Sequence, residues 1–219
     1  MKKKILCWLA GHPRLFYWAQ QFADCILPVR GRGNKVFNEG CLIRSKISVI
    51  GNNNKIYIAK GCVLRNCEFH VRGDNHIIRF GENSKVIEWG SFWCEGADNS
   101  IVVGTGTSLV SAHLCAQEHD TKILIGDDCM FSNNIQIRTS DSHPYYDMET
   151  KVRLNPGASV NIGPHVWICA KATIMKGVTI GEGSIVGYSS IVTKNVSPNS
   201  LVAGSPAKTI REHVCWSRK

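Results

Sequence analysis

Residues 162 to 197 read IGPHVW ICAKAT IMKGVT IGEGSI VGYSSI VTKNVS, which is six blocks of six residues in register. Each block of six begins with a large aliphatic residue, and a small or β-branched residue follows four positions later. The aliphatic positions are Ile162, Ile168, Ile174, Ile180, Val186 and Val192, and the later positions are Val166, Ala172, Val178, Ser184, Ser190 and Val196. A period of six matches neither the helical period of about 3.6 nor one long alternating strand. Strict hexads predict an all-β fold, a parallel β-helix in which each hexad forms one short strand and one corner.

The steric demands of such a coil explain the residue types. A large aliphatic side chain fills the interior and stacks on its counterpart one coil away, whereas only a small side chain fits at the corner. Glycine follows the aliphatic residue at Gly163, Gly181 and Gly187, where the backbone needs close approach or a positive φ. No proline interrupts the run between Pro164 and Pro198, as hydrogen-bonded strands require. Three hexads make one triangular coil.

The chain before this stretch repeats with a longer period. Polar residues recur at spacings of 22, 23 and 22, each three positions before an isoleucine, and they are Asn53, Asn75, Asp98 and Asp120. A column of small residues runs in step with them, and it contains Cys62, Ser84, Thr107 and Cys129. These spacings predict an 18-residue coil with four or five extra residues in one corner, formed by polar turns.

The chain leaves the repeat once. Ile125 and Ile162 are 37 residues apart, which is one coil of 18 residues plus an excursion of about 19. Insertions in repeat proteins gather on the working face, so we expect the chemistry there. We assign the excursion to residues 140–158, which include His143.

Composition and charge narrow the classes of ligand. The chain has 219 residues, of which 43% are hydrophobic and 20% charged, as in an ordinary globular domain. The net charge of +9 predicts an anionic ligand or surface, such as nucleic acid, membrane headgroups, an acidic glycan or a phosphate-bearing cofactor. No nucleic-acid motif is present, so we expect no nucleic-acid partner.

The cysteines and the amino terminus point to a reducing compartment. The ten cysteines show no paired Cys-x-x-Cys spacing, and Cys62 and Cys129 fall in the small-residue column, where we expect buried thiols. The basic and apolar run over residues 2–10 is broken at once by residues 11–14, so it is too short for a signal peptide. Nothing is long enough to span a bilayer. We therefore expect a cytoplasmic bacterial protein.

Two short helices are predicted outside the coils. Residues 13–27 carry apolar residues at helical spacing between Pro13 and Pro28. This helix either caps the open end of the solenoid or lies with Lys2–Lys4 on an anionic membrane, which would give weak peripheral association at the inner face. The predicted organisation is a capping segment over 1–35, the β-helix over 36–200, and a tail over 201–219 that ends in a short helix.

Five segments together resemble the hexapeptide-repeat acyltransferases, and among them the maltose, galactoside and polysaccharide O-acetyltransferases. They are Gly126–Asn134, Thr139–Pro144, His165–Ile168, Val192–Val196 and Ala203–Lys208. The resemblance implies a left-handed β-helix, a homotrimer, and a site between neighbouring subunits that takes acetyl-CoA and a carbohydrate acceptor. It implies no metal.

The resemblance gives His143 the role of general base. A hydroxyl is a poor nucleophile toward a thioester, and imidazole titrates in the range needed to take its proton. Asp141, two residues earlier, is expected to hold the ring through its other nitrogen. The aromatic pair beside His143 can stack on a pyranose ring, and the expected acceptor contacts are His113, Tyr145 and Tyr146.

The resemblance also assigns a cofactor side. Trp167 corresponds to the family tryptophan beside the catalytic histidine. Basic residues are expected near the cofactor's phosphates, small residues along the pantetheine arm, and a proline against adenine. This set contains Trp167, Ala170, Tyr188, Lys194, Ala203, Pro206, Lys208 and Arg211. Cys169 stands where the pattern has glycine, and Tyr188 where it often has alanine, so both are expected to narrow the pantetheine channel.

Three alternatives remain open from the sequence. The same fold supports N-acetylation of an amino sugar or antibiotic. It also supports a γ-type carbonic anhydrase, for which His76, His113 and His119 come near the ligand spacing, although each interval is one residue too long. A non-catalytic scaffold or glycan-binding solenoid is the third, since a fold does not fix a function.

Overall fold

A computed structural model describes residues 29–218, which wind into a three-sided solenoid of about seven turns. This part of the chain contains β-strands and no helix. In chain order the strands are β1 (Val29–Arg30), β2 (Lys35–Asn38), β3 (Cys41–Ile43), β4 (Lys46–Ile50), β5 (Lys55–Ile58), β6 (Val63–Arg65), β7 (Cys67–Asp74), β8 (Ile77–Phe80), β9 (Lys85–Ala97), β10 (Ser100–Val103), β11 (Ser108–His119), β12 (Lys122–Ile125), β13 (Met130–Phe131), β14 (Ile135–Arg138), β15 (Val160–Ile162), β16 (Trp167–Ile168), β17 (Thr173–Ile174), β18 (Thr179–Ile180), β19 (Ile185–Val186), β20 (Ile191–Val192), β21 (Leu201–Gly204) and β22 (Ala207–Arg211).

The strands form three faces. The first face is a seven-stranded parallel sheet in the order β2-β5-β8-β10-β12-β15-β18. The other two faces share one fifteen-stranded sheet, because β9 and β11 are long enough to turn the corner between them. The second face holds β3, β6, β13, β16, β19 and β21, and the third holds β1, β4, β7, β14, β17 and β20. The predicted parallel β-helix is confirmed.

The interior follows the hexads. All six aliphatic positions of the 162–197 stretch are buried, and so are all six small or β-branched positions. Equivalent residues lie directly opposite one another in successive coils, as in the column Leu64, Val86, Leu109, Phe131, Ile168, Val186 and Val202. The wider early coils are filled by larger side chains. Phe69, Phe80 and Phe92 contact one another there, with ring centroids 4.9 to 6.1 Å apart. Stacking of like on like explains why the period is strict.

The extra residues of the early coils lengthen the third face as well as its corner. Eleven residues separate Leu114 from Ile125, whereas six separate Ile174 from Ile180 in the later coils. Part of the added length extends β11 to His119. The expected polar turn is confirmed, but it accounts for only the rest of the extra residues.

Buried polar side chains hold this corner together. Asn54, His76, Asn99 and Thr121 lie one above another at no more than 3% exposure. The Oδ1 of Asn54 accepts from the His76 amide at 2.9 Å, and the Oδ1 of Asn99 accepts from the Thr121 amide at 2.8 Å. Burial lowers the pKa of His76, which keeps its ring neutral. The side chains of Asn54, His76 and Asn99 thereby each satisfy a backbone amide of the next coil.

The chain ends differ from the prediction. The expected C-terminal helix is wrong, because β22 pairs antiparallel with β21 and residues 212–218 follow without helix. The open edge of β21 in the last coil gives the tail a strand to pair with. The helix expected over 13–27 lies outside the described residues. The first described strand, β1, already pairs in parallel with β4. Among residues 29–218 we find no helix that could cross a membrane.

Candidate active site

The excursion between β14 and β15 is a small hairpin at the corner between the third and first faces. Tyr146 and Arg153 form an antiparallel bridge, and the Leu154 amide donates to the Tyr145 carbonyl at 3.0 Å. The Oδ1 of Asp147 accepts from the Thr150 amide at 2.7 Å and closes the tip. The excursion therefore has a defined backbone, which a loop that carries a base requires.

Asn155 fixes the backbone around His143. Its side chain is 3% exposed, and its Nδ2 donates to the His143 carbonyl at 2.9 Å. Its Oδ1 accepts from the Tyr145 amide at 2.8 Å. The His143 side chain is exposed, and no hydrogen bond joins its imidazole to another residue in the part of the chain that the structure describes. The peptide is held while the ring stays open to an incoming molecule.

Asp141 does not hold the ring of His143, contrary to the expectation from the sequence. Its Oδ2 accepts from the Lys176 ammonium and, at 3.0 Å, from Asn155 Nδ2. The hydrogen bond from Lys176 lowers the pKa of Asp141. The carboxylate is therefore occupied by the network beneath the excursion, and its effect on His143 passes through Asn155.

Glu118 anchors the excursion to the solenoid, and sequence reasoning missed it. Its carboxylate accepts from Arg153 at 2.7 and 2.8 Å, from Ser140 Oγ at 2.6 Å, and from the Gly157 amide at 3.1 Å. The hydrogen bonds from Arg153 lower the pKa of Glu118 to about 2. The sequence does contain a sign of its special role, because Glu118 stands where glycines recur 22 and 23 residues apart in the earlier coils.

The third face presents His113 beside the start of the excursion. His113 lies on β11 between Ser91 on β9 and Gln136 on β14. Burial lowers its pKa, and the nearby charge of Arg138 lowers it further. Arg138 also donates to Ser142 Oγ at 2.8 Å, which joins this face to the excursion. The structure thus brings His113 to the same side of the molecule as the His143 loop.

The two tyrosines next to His143 are open to solvent. Tyr145 is 57% exposed and Tyr146 is 55% exposed. Their backbones are fixed by the hairpin, so their rings are presented at defined places. Such rings offer flat apolar faces of the kind that sugars stack on.

Most of the expected cofactor residues lie on the second face and at its corner with the third. Trp167 lies on β16, opposite Met130 on β13 and Ile185 on β19. Ala170 lies in the turn that follows β16, and Tyr188 in the equivalent turn one coil later. Tyr188 is 62% exposed, and the Lys171 ammonium lies 5.6 Å from the centroid of its ring. The Tyr188 ring therefore points outward.

The hairpin β21–β22 carries the remaining expected cofactor residues. Lys208 pairs with Ala203, and Arg211 pairs with Leu201, with Pro206 in the turn. Ile210 is an extra residue in β22, since the register shifts between Leu201 and Val202. This bulge places both cations on the same side of the strand although their spacing is odd.

Lys194 is not with the other two cations. It follows β20, and the register of Ile174 with Val192 places it one coil from Lys176, on the corner that carries the excursion. Within one chain, His143, Tyr145, Tyr146 and Lys194 lie at one edge of the third face, and the other cofactor residues lie at or beyond its opposite edge. His113 lies between these edges, in register with Gln136 and Thr173. One hexad separates these edges, roughly 20 Å at the strand rise of about 3.3 Å per residue.

The C-terminal tail lies against the second face. Trp216 stacks on His165 at 4.1 Å between centroids, and its centroid is 6.1 Å from that of Trp167. His165 Nδ1 lies 2.7 Å from the carboxylate of Asp128, which also accepts from Arg218 at 2.9 Å. The tail therefore forms a wall beside Trp167.

The zinc alternative has no assembled ligand set here. His76 is 1% exposed, and its Nδ1 accepts from the Asn99 amide while its Nε2 lies 3.0 Å from the Arg72 carbonyl. A buried ring with both nitrogens engaged cannot reach a subunit interface. Across residues 29–218, no group of three histidine, cysteine or acidic side chains could hold a metal ion.

Comparisons with known proteins agree with this architecture. The bacterial transferase hexapeptide family, described by six repeats, matches residues 159–194. The chain is 35% identical over 176 residues to the polysialic acid O-acetyltransferase of Neisseria meningitidis, with 80% of each protein covered. It is 37% identical over 93 residues to the galactoside O-acetyltransferase of Escherichia coli K12, over 42% of this chain and 45% of that one.

Two solved structures of acetyltransferases superpose on most of the chain. The crystal structure of the polysialic acid-specific acetyltransferase NeuO superposes with a TM-score of 0.80 at 32% identity, covering 90% of each chain. The polysialic acid O-acetyltransferase OatWY gives a TM-score of 0.68 at 31% identity, over 89% of this chain and 92% of that one.

Proposed function

Because this chain belongs to the hexapeptide-repeat acetyltransferase family, we propose how its residues divide the work of acetyl transfer. The protein is a CoA-dependent O-acetyltransferase that moves an acetyl group from acetyl-CoA to a sugar hydroxyl. In our proposal His143 is the general base, the residues of its corner bind the acceptor, and the second-face residues bind the cofactor. The observation that carries the proposal is an open imidazole on a backbone held by Asn155.

The reaction needs one proton transfer at His143. Acetyl-CoA supplies the activated thioester. As the sugar oxygen attacks, the imidazole takes the hydroxyl proton, so the oxygen carries no full negative charge. Tyr145 and Tyr146 orient the ring of the acceptor, and His113, kept neutral by burial, donates or accepts one hydrogen bond to it. The proton then passes to the departing CoA thiolate.

The cofactor would be held by charge at one end. Lys208 and Arg211 lie on the outer side of the β21–β22 hairpin and are exposed, which suits phosphate groups. Ala170 and Ala203 leave the backbone accessible to the pantetheine arm, and Trp167 supplies an apolar wall that excludes water.

We propose an anionic glycan as the acceptor. The net charge of +9 favours a polyanion over a neutral sugar. At the start of the excursion Arg138 donates to Ser142 and forms no ion pair among residues 29–218, whereas Arg153 and Lys176 are paired with Glu118 and Asp141. Two relatives act on polysialic acid according to their names, and polysialic acid is an anionic glycan. The proposal assigns the protein to surface polysaccharide biosynthesis, in the cytoplasm where acetyl-CoA is made.

We also propose a homotrimer. One chain carries the His143 corner and the Trp167 face at opposite edges of its third face, so a complete site requires the corner of one subunit against the face of the next. A closed ring of three such contacts satisfies every copy.

The function is tested by a thiol-release assay with acetyl-CoA and three acceptors, namely polysialic acid, a neutral galactoside and an amino sugar. We expect the fastest release with polysialic acid, and a steep loss of rate with added salt for that acceptor alone. Equal rates with the neutral galactoside at all salt concentrations would remove the anionic acceptor from the account.

A further inference from the structure

Glu118 occupies a position where the solenoid otherwise uses glycine. Gly51, Gly73 and Gly96 form a column in successive coils with φ values of 131°, 112° and 110°, and Glu118 continues it with φ 78°. This left-handed conformation is easy for glycine and unfavourable for a residue with a Cβ. A Cβ on Gly96 would lie 2.0 Å from the Glu118 carbonyl, so no side chain fits one coil earlier.

The Glu118 side chain can be accommodated because the chain leaves the solenoid at the next coil. The Glu118 carboxylate lies among residues of the excursion instead. The carboxylate then contacts both ends of the excursion, Ser140 where it leaves and Arg153 and Gly157 where it returns. A residue that carries backbone strain and gathers four donors has a purpose other than solenoid packing.

The contacts continue from Glu118 to His143. Arg153, held by Glu118, donates to the Asn155 carbonyl at 3.1 Å, and the side chain of Asn155 donates to the His143 carbonyl. The Lys176 ammonium donates to the same Asn155 carbonyl at 3.0 Å. Two cations thus hold the Asn155 backbone, and the Asn155 side chain holds the His143 peptide by a hydrogen bond.

We propose that Glu118 is a positioning residue for the acetyl-transfer base, and that the pair Glu118–Arg153 sets the place of His143 through Asn155. This rests on the proposed role of His143. A base must lie within hydrogen-bond reach of the proton that it takes, and displacements of about 1 Å can reduce rates by roughly 10²-fold. Positioning affects the proton transfer itself and leaves cofactor binding on the second face unchanged.

The test replaces Glu118 by the residue that its column prefers. Glu118→Gly relieves the left-handed strain but removes the anchor, so we expect kcat to fall about 10- to 100-fold with an unchanged KM for acetyl-CoA. The melting temperature should stay within a few degrees of wild type, or rise. Arg153→Met should give a similar kcat, and the double variant Glu118→Gly/Arg153→Met should be no slower than either single variant.

Asp120→Gly is the matched control. Asp120 is also an acidic residue with a left-handed backbone, φ 49°, at the same corner, and among residues 29–218 its carboxylate pairs only with Lys122. We expect wild-type kcat in this variant. If Glu118→Gly keeps wild-type kcat, or if its kcat falls only in proportion to lost folded protein, the inference is overturned. Retained activity in His143→Ala would instead mean that the proposed base is wrong, so the two failures are distinct.

Discussion

Within residues 29–218, His143 is held by its backbone and not by its side chain. The protein fixes the peptide of His143 through Asn155 and leaves the ring free. That arrangement suits a base that must meet a proton on a substrate brought in by another surface.

Replacing the base should abolish most of the rate and little else. His143→Ala should lower kcat by roughly 10²- to 10⁴-fold, the usual contribution of positioned proton transfer. The affinity for acetyl-CoA, measured by calorimetry, should stay near wild type because the cofactor residues lie on other elements. His119→Ala, an exposed histidine at the end of β11, is the control and should remain fully active. Undiminished transfer in His143→Ala would remove it as the base.

Glu118, which anchors the excursion, should make the free energy of unfolding depend on pH. Arg153 lowers the pKa of Glu118 from 4.5 to about 2. A group whose folded pKa is depressed stabilises the fold above its unfolded pKa, and the contribution is lost as pH falls through the folded value. The free energy of unfolding should therefore exceed that of Glu118→Gln by a constant amount above about pH 5, and the difference should shrink between pH 4.5 and 2.

Urea unfolding of wild type and Glu118→Gln across this range measures the difference. The substitution keeps the side-chain size and the left-handed backbone, so strain is the same in both proteins. A difference that does not change with pH would show that the carboxylate charge contributes nothing.

The hairpin β21–β22 presents two cations side by side. Its bulge at Ile210 puts Lys208 and Arg211 on one side, opposite Ala203 and Leu201. Replacing both cations by alanine should raise the KM for acetyl-CoA with little change in kcat, because phosphate contacts are alike in the ground and transition states. Thr209→Ala, opposite buried Val202, is the control and should leave KM unchanged. An unchanged KM in the double variant would take the hairpin out of the cofactor site.

The hexads allow the solenoid to be predicted because each hexad obeys a steric rule of its own. The interior place of Ile168 and the corner place of Ala172 follow from spacing alone, without knowledge of distant contacts, and both residues are buried. The tail over 201–219 has no such rule. The sequence predicts a helix at its end, but residues 212–218 form no helix, and the chain just before them forms β22 on the open edge of β21.

The site is predictable only in part for a related reason. His143 and its tyrosines stand together in the sequence, so the excursion can be found from a gap in the repeat. Glu118, Arg153 and Lys176 come from three elements separated by 23 to 35 residues, and no local pattern joins them. Only the interrupted glycine column points to Glu118. The expected bond from Asp141 to the His143 ring is wrong because Lys176 takes that carboxylate.

The two halves of the proposed site lie apart in one molecule. The His143 corner and the Trp167 face lie at opposite edges of the third face of one chain, and the net charge of +9 suits a long anionic acceptor. Neither half can perform transfer alone in our account. In the proposed trimer, each copy therefore contributes two different surfaces to two different sites.

Mixing two inactive variants shows whether one site draws on two subunits. His143→Ala lacks the base, and Trp167→Ala with Lys208→Ala and Arg211→Ala lacks the cofactor side. Unfolded and refolded together in equal amounts, they should form mixed trimers in which about one quarter of the sites have both halves intact, with that share of wild-type activity. If the mixture is no more active than its components, each subunit holds its own complete site, and the division proposed here is contradicted.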